Sequence, residues 1–168
     1  MRIDKIKIYH LALPFMGEFS ISRKRKIRSE IIVLEMIGEF SAASGYGEGV
    51  PIKVVTGETP ESVIRDVIRF VAEPSFPWKL ENVSQIWDFV DGFPEGKTHN
   101  AAICAMEMAL LDSFGKHQRK PVMDFFSRTH LTNVVHYGAL VTLEKKERVA
   151  MLCKWIKALG ISRIRIKM

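Results

Sequence analysis

The apolar residues of this chain recur with a period of two up to about residue 50, with a period near 3.6 from residue 59 to about 117, and in a strand–helix–strand order from residue 134 onward. That order constrains the fold more than any single motif. A sheet formed before a block of helices predicts an α+β region rather than an all-helical bundle or an alternating α/β domain. Over residues 2–13, Ile3, Ile6 and Ile8 are spaced among charges and followed by Leu11 and Leu13, which predicts a strand that Pro14 closes. Residues 14–29 read as a long connection containing Phe15, Gly17, Phe19 and Ile21 and the basic run from Arg23 to Arg28. Residues 30–38 are β-branched and apolar, a second strand. After a small-residue turn, Gly45-Tyr46-Gly47-Glu48-Gly49 predicts a short third strand, with glycines where backbones approach closely. A three-stranded antiparallel meander is the simplest assembly.

Thr59-Pro60-Glu61 has the chemistry of a helix start: a hydroxyl cap, proline at the first helical position and an acid in the first turn. Val63, Ile64, Val67, Ile68 and Val71 form its expected apolar stripe. Residues 82–90 predict a shorter helix and residues 98–117 a long one. The long helix has a face of Ala101, Ala102, Ala105, Met108 and Ala109, small enough for tight packing. Residues 134–141 read as a buried strand, 144–159 as a helix stopped by Gly160, and 164–167 as a further strand. This is a βαβ unit with a parallel pair. Such a pair is normally covered on both faces, which two strands and one helix cannot supply, so the region reads as the beginning of a larger element.

Composition removes other classes. With 47% hydrophobic and 26% charged residues the chain is an ordinary globular one, and no run approaches the length of a membrane span. The N-terminus carries no secretory signal pattern. Cys104 and Cys153 both fall inside helical patterns and are expected to be buried, so a disulfide or zinc scaffold is not expected, and the cytoplasm is the expected compartment. The net charge of +6 raises the question of a polyanionic partner. The run from Arg23 to Arg28 lacks interleaved aromatics and any recognition motif, so it reads as a solvated charge run, with neither nucleic acid nor membrane as partner.

Three stretches together resemble one family. They are Gly45 to Gly49 with Thr56-Gly57-Glu58-Thr59-Pro60-Glu61-Ser62-Val63; Ala101 to Asp112 with Gly115-Lys116 and Pro121-Val122; and Gly160 to Lys167. In that order and spacing they resemble the muconate-lactonizing and mandelate-racemase-like subgroup of the enolase superfamily. The resemblance implies an α+β capping domain over residues 1–125, then the first βαβ segment of an incomplete TIM barrel over 126–168. It implies a parent isomerase or lyase that uses Mg²⁺ while removing a proton α to a carboxylate, as in muconate cycloisomerases, dipeptide epimerases or o-succinylbenzoate synthases. A whole barrel needs about 250 residues. The family's metal-binding acids lie on barrel strands beyond those seen here, so no metal ligands and no cofactor are expected in this chain, and the chain alone is expected to be inactive.

By the same resemblance Lys167 is the proton-abstracting base. Residues i and i+2 of a strand share a face, so Arg165 would stand beside it. Arg165 replaces the lysine usual in the family; it supplies charge but cannot itself act as a base. Phe15, Phe19 and Ile21 match the cap loop that closes over substrate and would shield the site from water. Glu48 and Glu58 belong to cap structure, and Glu58 beside Thr59 fits helix-start electrostatics. The expected partners are a small carboxylate substrate in the parent and further copies of the chain. The alternative is a non-enzymatic cap-fold module that self-associates through its open barrel strands.

Overall fold

A computed structural model describes residues 1–21, 24–39, 44–94, 96, 98–126, 134–141 and 145–166, with the side chains of 16–21 and 24–27 excepted. The chain divides into two compact units, Met1–Phe15 with Arg28–Ser127, and Met16–Ile27 with Arg128–Met168.

The first unit holds three helices and, apart from residues 16–21 and 24–27, a three-stranded sheet of order β1-β2-β3. The strands are β1 (Ile3–Ile21), β2 (Lys24–Gly38) and β3 (Gly45–Gly49). The first two strands are much longer than the sequence suggests, and most of the expected connection 14–29 is itself strand. Pro14 does not end β1. That strand lies at the sheet edge, where a missing N–H on the unpaired side costs no ladder bond. β2 and β3 are antiparallel, with Glu35 opposite Tyr46 and Leu34 opposite Gly47.

The period of two divides β2 cleanly. Ile32, Leu34 and Met36 are fully buried and form the floor of the core. Above β3 lies α3 (Asn100–Gln118). A Cβ built on Gly47 would overlap the Ala105 carbonyl oxygen and lie 2.6 Å from the Ala109 nitrogen. A Cβ on Gly45 would lie 2.6 Å from Ser113 Cα, and one on Gly49 3.0 Å from the Ala101 carbonyl carbon. Every second residue of the strand therefore meets every fourth residue of the helix, backbone against backbone. The helix answers with Ala101, Ala105, Ala109 and Ser113, all buried. Met106 and Leu110 fill the core beside them, whereas Met108, expected on the small face, is exposed.

Helix α1 (Pro60–Val71) starts where the sequence places it. The Ser62 amide donates to Thr59 Oγ1 at 3.2 Å and the Thr59 amide to Ser62 Oγ at 2.9 Å, a reciprocal cap. Its buried face is Val63, Val67 and Phe70, while Ile68 is 57% exposed. The stripe is rotated toward Phe70 because the larger ring buries more apolar surface. Helix α2 (Ser84–Asp91) contributes Ile86 and Phe89. The N-terminal ammonium donates to the Leu80 carbonyl at 2.7 Å and the Ile3 amide to the Trp78 carbonyl at 2.8 Å, which ties the start of the chain to the segment before α2.

The second unit contains the expected βαβ: β4 (Gly138–Val141), α4 (Lys146–Ala158) and β5 (Arg163–Ile166), with β4 and β5 parallel. Gly160 has φ +66°, the Gly160 amide donates to the Lys157 carbonyl, and the Ile161 amide to that of Ile156, both at 3.1 Å. This is the glycine stop that the sequence predicts. Little of the burial expected here is found, Val141 of β4 and Ile156 of α4 being buried. Val134, Val135 and Tyr137 precede β4 and are exposed, every residue of β5 is exposed, and only Ile156 of the α4 stripe is buried. A two-stranded sheet with one helix has too little partner surface to cover these side chains. Cys104 and Cys153 are exposed rather than buried, because each lies off the packed face of its helix. No described helix is long and apolar enough to cross a membrane.

Candidate functional site

Parallel pairing places Leu140 opposite Arg165 and Val141 opposite Ile166. Alternation puts Arg163 and Arg165 on one face of β5 and Ile164 and Ile166 on the other. Arg165 is exposed, and with Gly138, Ala139, Leu140, Arg163 and Ile164 it borders a shallow open depression. Its guanidinium makes no ion pair among the described residues, so it offers a charge without a fixed partner. Lys167 lies outside the described residues. Phe15 is half-buried on β1. Positions 19 and 21 fall within the same strand, and the side chains of Phe19 and Ile21 lie outside those described.

The most elaborate polar cluster was not foreseen. Glu35, only 9% exposed, stands on the sheet face opposite α3. The Tyr9 hydroxyl donates to Glu35 Oε2 at 2.6 Å, Lys7 Nζ donates to the same oxygen at 3.0 Å, and the Tyr46 hydroxyl donates to Oε1 at 3.0 Å. One carboxylate thus links all three strands. The two phenol donors and the ammonium hold its pKa down to about 2 from the usual 4.5, and the carboxylate raises those of Tyr9, Tyr46 and Lys7. The acid's folded pKa lies below its unfolded value, so its stabilising contribution is whole above pH 4.5 and is lost as pH falls toward about 2. In Glu35→Gln the unfolding free energy should fall less over that window than in the parent chain; denaturant titrations at its two ends check this. The signal in the sequence is the register: once Glu35 is known to face Tyr46, the donors are apparent.

A second pair joins two helices. His99, with left-handed φ 64°, precedes α3, and its Nδ1 lies 2.6 Å from Asp66 Oδ2 on α1. Asp66 is 6% exposed and also faces Arg69 at 3.5 Å. Glu58 is buried and accepts the Ala101 amide at 3.0 Å on each of its oxygens and the Ala102 amide at 3.4 Å on Oε1. It does serve a helix start, but that of α3, not the adjacent α1. His99 occupies the cap position of α3 without making a side-chain cap bond, and Glu58 reaches across to satisfy those amides. Among the described residues no group of three or more His, Cys, Asp or Glu could hold a metal ion.

These features define a class. An antiparallel three-stranded sheet, one helix packed on its glycine strand with two more against that helix, and a small parallel two-stranded sheet form the fold of the N-terminal part of mandelate racemase/muconate lactonizing members of the enolase superfamily. The particular relatives are epimerases and racemases. The chain is 29% identical over 126 residues to an N-succinyl-L-Arg/Lys racemase of Bacillus cereus, covering 73% of this chain and 32% of that protein. The solved structure of the N-succinyl Arg/Lys racemase from the same organism superposes with a TM-score of 0.77 at 25% identity, over 100% of this chain and 44% of its own. An aromatic dipeptide epimerase of Herpetosiphon aurantiacus is 24% identical over 168 residues, 98% of this chain and 45% of that protein. A dipeptide epimerase from Enterococcus faecalis, solved with Mg and the dipeptide L-Leu-L-Tyr, superposes with a TM-score of 0.76 at 20% identity, over 100% of this chain and 46% of its own. The chain therefore spans less than half the length of these relatives. No family model matches it.

Proposed function

We propose that this chain is the N-terminal part of an enolase-superfamily epimerase or racemase that removes a proton α to the carboxylate of a small substrate. Its support is the similarity across the whole chain to racemases and dipeptide epimerases. In this reading residues 1–125 are the cap and 126–168 the start of the barrel. Lys167 takes the proton and Arg165 supplies fixed positive charge toward the substrate carboxylate. Phe15, Phe19 and Ile21 exclude water above the site. Magnesium belongs to the whole protein by analogy with the Enterococcus faecalis relative, whose structure holds it. The described residues of this chain do not fit such an ion. The chemistry assigned to the chain is that of its own side chains, and the chain alone is inactive.

The test is deuterium exchange at the α-carbon of dipeptides and N-succinyl amino acids in D₂O with Mg²⁺. The 168-residue chain should give only background. The polypeptide extended to the length of its relatives should exchange both epimers of its substrate, and Lys167→Ala should abolish exchange of the one epimer whose α-proton faces the lysine. Exchange of both epimers that survives Lys167→Ala would overturn the role of the lysine, and exchange by the chain alone would overturn its dependence on the rest of the barrel.

A second reading rests on the second unit, where Leu140, Trp155, Leu159, Ile164 and Ile166 are all exposed. Such surface suits a module that self-associates through its barrel strands. Sedimentation at rising concentration decides: a monomer throughout argues against it, and a reversible dimer weakened by Ile166→Lys supports it.

A further inference from the structure

Two sulfur atoms meet on the outer side of α3. Cys104 Sγ lies 3.8 Å from Met108 Sδ, one turn further along the helix. Residues four apart stand on one helix face, so the pair is set by the helix itself. Cys104 is exposed and Met108 is 45% exposed, while Ala105 and Ala109 of the same turns are buried against β3. Neither sulfur fills the core, and neither belongs to the residues assigned above to proton abstraction. The other cysteine lacks this arrangement. Around Cys153 on α4 the positions three and four residues away are Ala150, Val149, Ile156 and Lys157, so that helix offers it no second sulfur on its own face.

The separation matches the bite of one ion. Metal–sulfur bonds of about 2.3 Å to both atoms would meet at about 110° across 3.8 Å, an ordinary angle for a three- or four-coordinate ion, with no movement of either side chain. Thiolate and thioether are soft ligands, which select Cu(I) and leave hard cations such as Mg²⁺ to oxygen. The surrounding charge has the right sign. Burial first, then the carboxylates of Glu107 on α3 and Glu48 on β3, push the Cys104 thiol up. A field that holds a proton on the sulfur also favours a metal cation there.

We infer that Cys104 and Met108 form a chelating site for Cu(I). The ion displaces the thiol proton to solvent and binds the thiolate and the thioether lone pair, with no change of oxidation state. Two protein ligands leave its remaining positions open to water or a small thiol, so the site is an exchangeable one rather than a closed structural one.

Anaerobic titration of the chain with Cu(I) in competition with bicinchoninate tests the inference. The chain should withdraw one Cu(I), and the Met108 methyl resonance should shift and saturate at one equivalent. Met108→Leu conserves volume at an exposed position and keeps the thiol; it should raise Kd about tenfold or more, as expected for a lost ligand. Cys104→Ser should abolish competition, and Cys153→Ser should leave it unchanged. An unchanged Kd in Met108→Leu would reduce the site to a bare thiol and overturn the chelate. Equal losses in the two cysteine variants, or one Cu(I) shared between two chains, would overturn it as well.

Discussion

Gly47→Ala is expected to cost the first unit more than about 3 kcal/mol, the upper range for overpacking a core, and to leave much of the chain unfolded at ambient temperature. The added methyl would overlap the Ala105 carbonyl oxygen and press on the Ala109 nitrogen, and both are main-chain atoms of α3 that no rotamer change can move. Relief requires lifting the helix from the strand and opening the contact made by Gly45 and Gly49 on either side. Gly57→Ala is the control. That glycine has φ +78° and open space around it, so the substitution carries only the backbone strain of about 1–2 kcal/mol. Denaturant unfolding followed by circular dichroism compares the two. Similar losses would mean that close approach of β3 and α3 does not govern the fold.

Glu58→Ala is expected to destabilise the chain by about 2–4 kcal/mol, combining the loss of a helix cap with buried amides left unpaired. The Ala101 and Ala102 amides have no alternative acceptor from His99, whose ring is turned to Asp66. Glu58→Gln keeps one acceptor oxygen and should cost about 1 kcal/mol or less by comparison. Amide hydrogen exchange separates this from a general loss of stability: protection at Ala101 and Ala102 should fall first in Glu58→Ala. Equal stability of Glu58→Ala and the parent chain would remove Glu58 from the account.

What the sequence made legible was mostly punctuation. Gly45, Gly47 and Gly49 announced a close backbone approach, Thr59-Pro60 a helix start and Gly160 a helix stop, because each acts through local backbone chemistry. Features that depend on distant partners were hidden. Pro14 looked like a strand end until β1 proved to be an edge. Ile68 and Phe70 are both apolar, and only the packing of α1 decides which faces the core. Cys104 and the run 134–140 have the composition of buried residues, but burial needs a neighbour, and type alone does not supply one. Glu35, Tyr9 and Tyr46 come from three strands and meet only through register. Of the proposed site, Arg165 and Phe15 lie among the described side chains, and Lys167, Phe19 and Ile21 lie outside them.

In the proposed function labour is divided, with the proton-abstracting base in this chain and the metal ligands elsewhere in the protein. Calorimetric titration of the 168-residue chain with Mg²⁺ tests it most directly. The account predicts no saturable heat beyond dilution. A stoichiometric isotherm showing one tightly bound Mg²⁺ per chain would contradict it.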